Sequence, residues 1–253
     1  MNKYYLNLEK NGYGKVKIPK YLISKIRKAV LNNINQKFPA KELKSYNGLI
    51  RLLENTSEKI FIKHFGSNLS RILNAKCTKV INTWVEQNIP DKINCRRAAL
   101  NLVTQSECKN NKNLTKKQFS AFYRVVRKNK KDVGHPHRDS SFWKIGNRRH
   151  TYFKHIIVWK LWIPVFGVNK QNTLNMVHSS HKDNIKISYV KKNGLSKPKI
   201  SKSYITNNLS RVIKPIKSDG REGLLFHQDM VHFAQMNKSS NCRVSIEFNI
   251  LAK

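Results

Sequence analysis

Acidic side chains are scarce in this chain: 14 Asp and Glu stand against 50 Lys and Arg, for a formal net charge of +36. The excess is spread along the sequence instead of being gathered in one tail. Such a field attracts nucleic acid, an anionic membrane surface or a phosphorylated or carboxylated small molecule, and it speeds encounter with each. Composition offers a second account, because Lys, Asn and Ile are abundant together, as A+T-rich coding produces. Cysteine is also sparse. Cys77, Cys95, Cys108 and Cys242 form no Cys-x-x-Cys pair, which excludes a zinc knuckle or a thioredoxin-like site and leaves them as reduced thiols of a cytoplasmic protein. No stretch approaches the roughly 20 apolar residues needed to cross a bilayer, and Met1 to Asn7 holds no apolar run of signal-peptide length. A soluble protein without a membrane partner is expected. No internal repeat is visible, and 253 residues with a hydrophobic fraction of 39% suit one globular domain.

What is present divides near Ile89-Pro90-Asp91. Before it, Leu22, Ile23, Ile26, Val30, Leu31 and Ile34 recur at three- and four-residue steps after Pro19, and residues 41 to 54 and 58 to 88 continue with helical spacing. Residues 1–90 are therefore expected to be mainly helical and to buttress a sheet. Beyond the boundary the period shortens to two. Ala98 to Val103, Phe119 to Val126 and Tyr152 to Phe166 read as strands, as do Leu224 to Phe226, Val231 to Gln235 and Arg243 to Leu251. Lys186 to Ser218 is Lys- and Ser-rich with few apolar anchors and reads as an insertion, either a lid or a loop. In the last strand Arg243, Ser245, Glu247 and Asn249 alternate with Val244, Ile246, Phe248 and Ile250. One face then lies on the helices and the other looks into a polar cavity.

Chemistry concentrates in Gly134-His135-Pro136-His137-Arg138-Asp139. Residues two apart on an extended chain share a side, so His137 and Asp139 can offer an imidazole nitrogen and a carboxylate oxygen to one point. His232, from a later strand, would complete a 2-His-1-carboxylate face of the kind that leaves open positions on non-haem Fe(II). His135 competes for the first place but lacks an acid two residues on. Arg243 follows His232 across Asn237 to Asn241, at a distance suited to a hairpin partner, and its guanidinium fork can hold a carboxylate in the same cavity, with Ser245 on the same face. Arg124 and Arg127 precede the metal loop and either contact the co-substrate or only add charge. Lys160 alone interrupts an apolar side of its strand. It either binds a carboxylate or reaches past its neighbours to solvent. Phe142, Trp143 and Arg148, in the loop after Asp139, are candidate substrate contacts.

Gly223 to His232 with Arg243-Val244-Ser245-Ile246-Glu247-Phe248 resembles the distal-histidine and arginine segment of the phytanoyl-CoA dioxygenase family. Val177-His178-Ser179-Ser180-His181-Lys182 is similar to that family's Pro-Gly-Ser-His turn, with His178 and Ser179 in place of Pro and Gly. Glu9 to Tyr13 is similar to its opening. The resemblance spans nearly the whole chain. It implies an α+β protein whose double-stranded β-helix, a cupin-like jelly roll, is buttressed by the N-terminal helices. It also implies Fe(II) on His137, Asp139 and His232, with 2-oxoglutarate and O2 as co-substrates. The far carboxylate of 2-oxoglutarate would rest on Arg243 and Ser245, and the products would be succinate, CO2 and a hydroxylated substrate. An acid at position 139, where Gly or Ala would leave room for a halide, favours hydroxylation over halogenation. The charge points to a small anionic metabolite as substrate. An oxygenase acting on nucleic acid and a basic jelly roll that only binds polyanions are the competing readings, and neither the substrate nor the oligomeric state is written in the sequence.

Overall fold

Two antiparallel sheets face each other, and a layer of helices covers the outer face of the larger one. The computed structural model describes residues 8–36, 38, 44–65, 70–89, 121–129, 132–143, 157–192, 195–239 and 241–252. The larger sheet has six strands in the order β1 (Tyr13–Lys17), β9 (Glu222–His227), β4 (Ile157–Phe166), β11 (Arg243–Ala252), β3 (Phe122–Val126) and β2 (Ser70–Ile72). The smaller has β10 (His232–Ala234), β5 (Leu174–Val177) and β8 (Val212–Ile213). Strands β6 (Ile187–Lys192) and β7 (Leu195–Ile200) form a separate hairpin. Among the described residues no helix is long and apolar enough to cross a membrane.

The N-terminal helices form where the three- and four-residue spacing falls. Pro19 precedes α1 (Lys20–Asn35), which buries Leu22, Ile23, Ile26, Ala29, Val30, Leu31 and Ile34. Ser45 accepts from the Gly48 N–H to cap α2 (Tyr46–Glu54), and Asn74 accepts from the Cys77 N–H to cap α4 (Ala75–Asn88). The helical pattern expected over 58 to 88 is interrupted: α3 (Glu58–Phe65) ends and the three residues of β2 pair with β3 before α4 begins. Ser70–Ile72 is too short to show a period of its own, and its pairing with β3 decides its conformation.

Alternation then sorts the side chains of the large sheet. Tyr123, Val125, Leu161, Ile163, Val244, Ile246 and Phe248 pack outward against Leu22, Ile26, Leu49, Ile81 and Trp84 of the helices. Each fully buried aliphatic side chain contributes roughly 1.5–3 kcal/mol. Arg27 donates to the Val165 carbonyl at 3.0 Å and Tyr123 donates to Asn33 at 2.8 Å, which fixes α1 across β4 and β3. Trp162, Leu224 and Phe226 point inward and meet Leu174, Met176 and Met230 of the opposite layer. Where the inward face is polar, a cavity remains.

The stretch from Lys186 to Ser218 contains the β6–β7 hairpin, a short helix α6 (Lys202–Asn207, after α5, Ser140–Trp143) and β8, so it is more than a plain loop. Ile200 and its neighbours pack on Val177 and Val231, and the Ile200 N–H donates to Pro136 at 3.2 Å, beside the metal loop. The strand expected at Ala98 to Val103 lies outside the described residues.

Candidate metal centre

The loop that carries His137 and Asp139 is pinned before and between them. Asp132, almost fully buried, takes the Arg127 guanidinium at 2.8 Å and the Arg127 N–H at 2.8 Å, while Arg127 lies 3.9 Å over the Phe61 ring. Arg127 is therefore committed to shaping the loop. Arg138 points to the opposite side from its two neighbours and donates to the carbonyls of Ser180 and Asp183, the latter at 2.7 Å. With Arg138 turned away, His137 and Asp139 share the inner side, as period-two geometry requires.

His137 then bridges to β10 directly. Its N–H donates to the His232 carbonyl at 3.2 Å and the His232 N–H returns the bond at 3.1 Å. The Nδ1–H of His137 donates to the His135 carbonyl at 2.6 Å, and that of His232 to the Met230 carbonyl at 3.0 Å. A carbonyl can only accept, so both rings carry a proton on Nδ1 and turn Nε2 the other way. Each Nε2 lies 3.9 Å from Asp139 Oδ1. The three donor atoms fall within 4.8 Å of one another, the one such cluster among the described residues. His135 is exposed and serves through its carbonyl.

Electrostatics prepare the set for a cation. Burial and the neighbouring His232 ring push the His137 imidazole down to about 3, against the pull of Asp139, so it is neutral and able to coordinate. Burial alone would raise the Asp139 carboxyl, but the Lys160 ammonium and the two imidazoles more than offset it and hold it at about 2. Lys160 Nζ stands 3.4 Å from Asp139 Oδ2, on the inner face of β4 with its side chain 13% exposed. The lysine thus does not extend to solvent. Burial would lower its ammonium, yet Asp139 and Glu247 keep it above the ordinary lysine range.

The cavity beside these residues is narrow, about 30 Å³, and is lined by Arg124, His137, Lys160, Trp162, Phe226, His232, Arg243 and Glu247 among others. Arg243 enters it from β11, not from a hairpin with His232. β10 pairs with β5 in the small sheet, whereas β11 lies between β4 and β3 in the large one. The polar stretch after β10 is a crossing between sheets, closed by Asn237 donating to the Asn241 carbonyl at 2.6 Å. Arg243 and His232 still meet, because they face each other across the cavity. The guanidinium donates to the Asn172 carbonyl at 2.7 Å, and burial with the nearby Arg124 pushes it down to about 9, opposed by Glu247. Arg243 Nε, Arg124 Nε, Trp162 Nε1 and Ser245 Oγ are buried and have no hydrogen-bond partner. Four buried donors without acceptors call for an anion of matching reach.

Of the candidate substrate contacts, Phe142 is 40% exposed and sets its ring edge-on to His137 at 5.3 Å. The Trp143 side chain and Arg148 lie outside the described residues. Arg124 is the residue that spacing left undecided; its register opposite Ser245 in β3 is what brings it into the cavity. The turn at 177–182 is structural: Ser179 adopts a left-handed φ of 56°, and His181 Nε2–H donates to the Glu9 carbonyl at 3.0 Å.

No protein-family model matches the chain, and no curated protein matches it in sequence. Solved structures share its fold. EvdO2 from Micromonospora carbonacea var. aurantiaca, complexed with 2-oxoglutarate, is 8% identical over 100% of this chain and 91% of its own, with a TM-score of 0.59. EctD from S. alaskensis, with 2-oxoglutarate and 5-hydroxyectoine, is 10% identical over 99% and 75%, at 0.52. The non-heme alpha ketoglutarate dependent carbocyclase SnoK from nogalamycin biosynthesis is 11% identical over 100% and 84%, at 0.51.

Proposed function

We propose that this chain is an Fe(II)- and 2-oxoglutarate-dependent dioxygenase of the phytanoyl-CoA dioxygenase type, built on a double-stranded β-helix and hydroxylating a small anionic molecule. The observation that carries the reading is that His137, His232 and Arg243 line one cavity: the two imidazole Nε2 atoms converge on one oxygen of Asp139, and Arg243 Nε is a buried donor without a partner, as is Ser245 Oγ two positions on along β11. The fold neighbours EvdO2 and EctD, whose structures contain 2-oxoglutarate, support it.

The donor set fits a divalent first-row metal: two imidazoles and one carboxylate, the 2-His-1-carboxylate combination that leaves positions open. His137, Asp139 and His232 would hold it. Bound Fe(II) would supply O2-activating redox chemistry, coupled to oxidative decarboxylation of 2-oxoglutarate to succinate and CO2. The chain's own residues do the rest. Arg243 and Ser245, with Arg124 beside them and the Trp162 N–H on the same wall, orient the far carboxylate of the co-substrate. Phe226, Leu174 and Ala234 close the wall with apolar surface and exclude water. Phe142, exposed and packed on His137, contacts the substrate at the mouth. The surplus of cavity cations, Arg124, Arg243 and Lys160 against Asp139 and Glu247, favours an anionic substrate.

Anaerobic titration of the metal-free protein with Fe(II) and 2-oxoglutarate tests this. A weak visible charge-transfer band that needs both additions, and fails with Arg243→Ala, is the expected result. Its absence from folded wild-type protein would sink the assignment.

A further inference from the structure

Lys160 has so far counted only toward the positive charge of the cavity, yet its position is specific. Asp139 turns one oxygen, Oδ1, toward both imidazole Nε2 atoms at 3.9 Å, and the other, Oδ2, toward Lys160 Nζ at 3.4 Å. Both side chains are 13% exposed. On β4 the lysine stands between Phe226 of β9 and Asn249 of β11, with Trp162 and Glu247 facing each other one inward position along. A carboxylate–ammonium pair this deep gains little net stability over an apolar pair of the same volume. Its effect on charge is larger. Asp139 carries the one formal negative charge of the three candidate ligands, and Lys160 cancels it.

Resting on the dioxygenase reading, we propose that Lys160 couples the metal to the anionic co-substrate. With Oδ2 held by the ammonium, Oδ1 is the oxygen left facing both imidazoles and would be the one offered to a metal. With the charge of Asp139 neutralised, a divalent cation entering alone meets little compensating negative charge and is held weakly. The same uncancelled positive charge, added to Arg124 and Arg243, draws in a dianion. Cation and co-substrate therefore bind much better together than apart, and Lys160 sets that difference. Such coupling is reciprocal: whatever the cation adds to co-substrate affinity, the co-substrate adds to cation affinity. Glu247 lines the cavity and works in the opposite sense, partly restoring negative charge.

Calorimetry with Co(II), which needs no turnover, reads both affinities: Co(II) into metal-free protein, and 2-oxoglutarate into Co(II)-loaded protein. In Lys160→Met, Co(II) alone should bind about tenfold tighter and 2-oxoglutarate about tenfold weaker, within the usual range of coupling between sites. Glu247→Gln should shift both in the opposite directions, and it keeps the test open if the methionine variant does not fold. Both affinities falling together in Lys160→Met, or neither moving, would overturn the proposal and leave Lys160 a scaffold residue. Folded wild-type protein showing no Co(II) binding that depends on His137 and Asp139 would overturn the metal reading beneath it as well.

Discussion

His137 and His232 exchange both of their backbone hydrogen bonds, at 3.2 and 3.1 Å, and their rings stand 4.4 Å apart between centroids. Two imidazoles that are close in space and far apart in sequence are thereby joined through main chain, with Phe142 and Phe226 set edge-on against their rings. The arrangement makes the site dependent on backbone register, and each consequence below can be measured.

Removing the carboxylate should cost more than a ligand. Asp139→Ala leaves the Lys160 ammonium buried at the inner face of β4 without its partner 3.4 Å away. Breaking one side of such a pair destabilises a protein by about 3–5 kcal/mol, whereas replacing both sides is nearly neutral. Urea unfolding should show that loss for Asp139→Ala, and most of it should return in the Asp139→Ala/Lys160→Met double variant.

At the other end of the cavity, Arg243→Lys should not be tolerated as a conservative change. The guanidinium uses one arm on the Asn172 carbonyl and holds Nε free, a fork that a single ammonium cannot reproduce. Losing a charge-assisted hydrogen bond of about 1.5–3 kcal/mol corresponds to roughly 10- to 150-fold weaker 2-oxoglutarate binding by metal-loaded protein, read from the visible titration.

Arg138 lies between two candidate ligands and touches neither. Arg138→Met should strip donors from the Ser180 and Asp183 carbonyls and free the loop from the 180–183 turn. A stability loss of about 2–3 kcal/mol in urea is expected, with weaker Co(II) binding although every candidate ligand is still present. Unchanged metal affinity would mean that the backbone bridge to His232 suffices.

Acid should destabilise the fold before carboxylates titrate. Burial lowers His227 to about 4, aided by His181 and opposed by Asp229. A folded-state value below the unfolded 6.5 means that the unfolded chain binds the proton first. The stabilising contribution is complete above pH 6.5 and is lost as pH falls from there toward 4. Its size is on the order of 3 kcal/mol. The urea midpoint of His227→Gln should be flatter over that window than the wild-type midpoint.

Alternation in the sequence was enough to place Arg243 and Ser245 opposite the helix-facing Val244 and Ile246, because a half-buried strand writes its two faces in period two. The His-x-Asp spacing likewise carries its own geometry, and Arg138 turning away is the visible counterpart. What could not be read locally was which strand each segment joins. Asn237 to Asn241 has the composition of a tight turn, yet its asparagines close a crossing between sheets, since pairing with β3 and β4 offers β11 far more than a three-residue β10 does. Lys160 was left open for a related reason: its partner Asp139 comes from another part of the chain, and no local pattern announces such an ion pair. Arg124 was undecided because only its register with Ser245 separates it from Arg127.

The pairing of β1 with β9 joins Tyr13 to Phe226, and that has a bearing on how the protein is made. At synthesis rates of roughly 5–20 residues per second, the first strand waits about 10–40 seconds for its neighbour to leave the ribosome. During that interval Val16 and Ile18, buried in the finished molecule, have no sheet to join. The nascent chain is thus exposed to off-pathway association until its last quarter emerges, and co-expression with a holdase chaperone should raise the yield of folded protein.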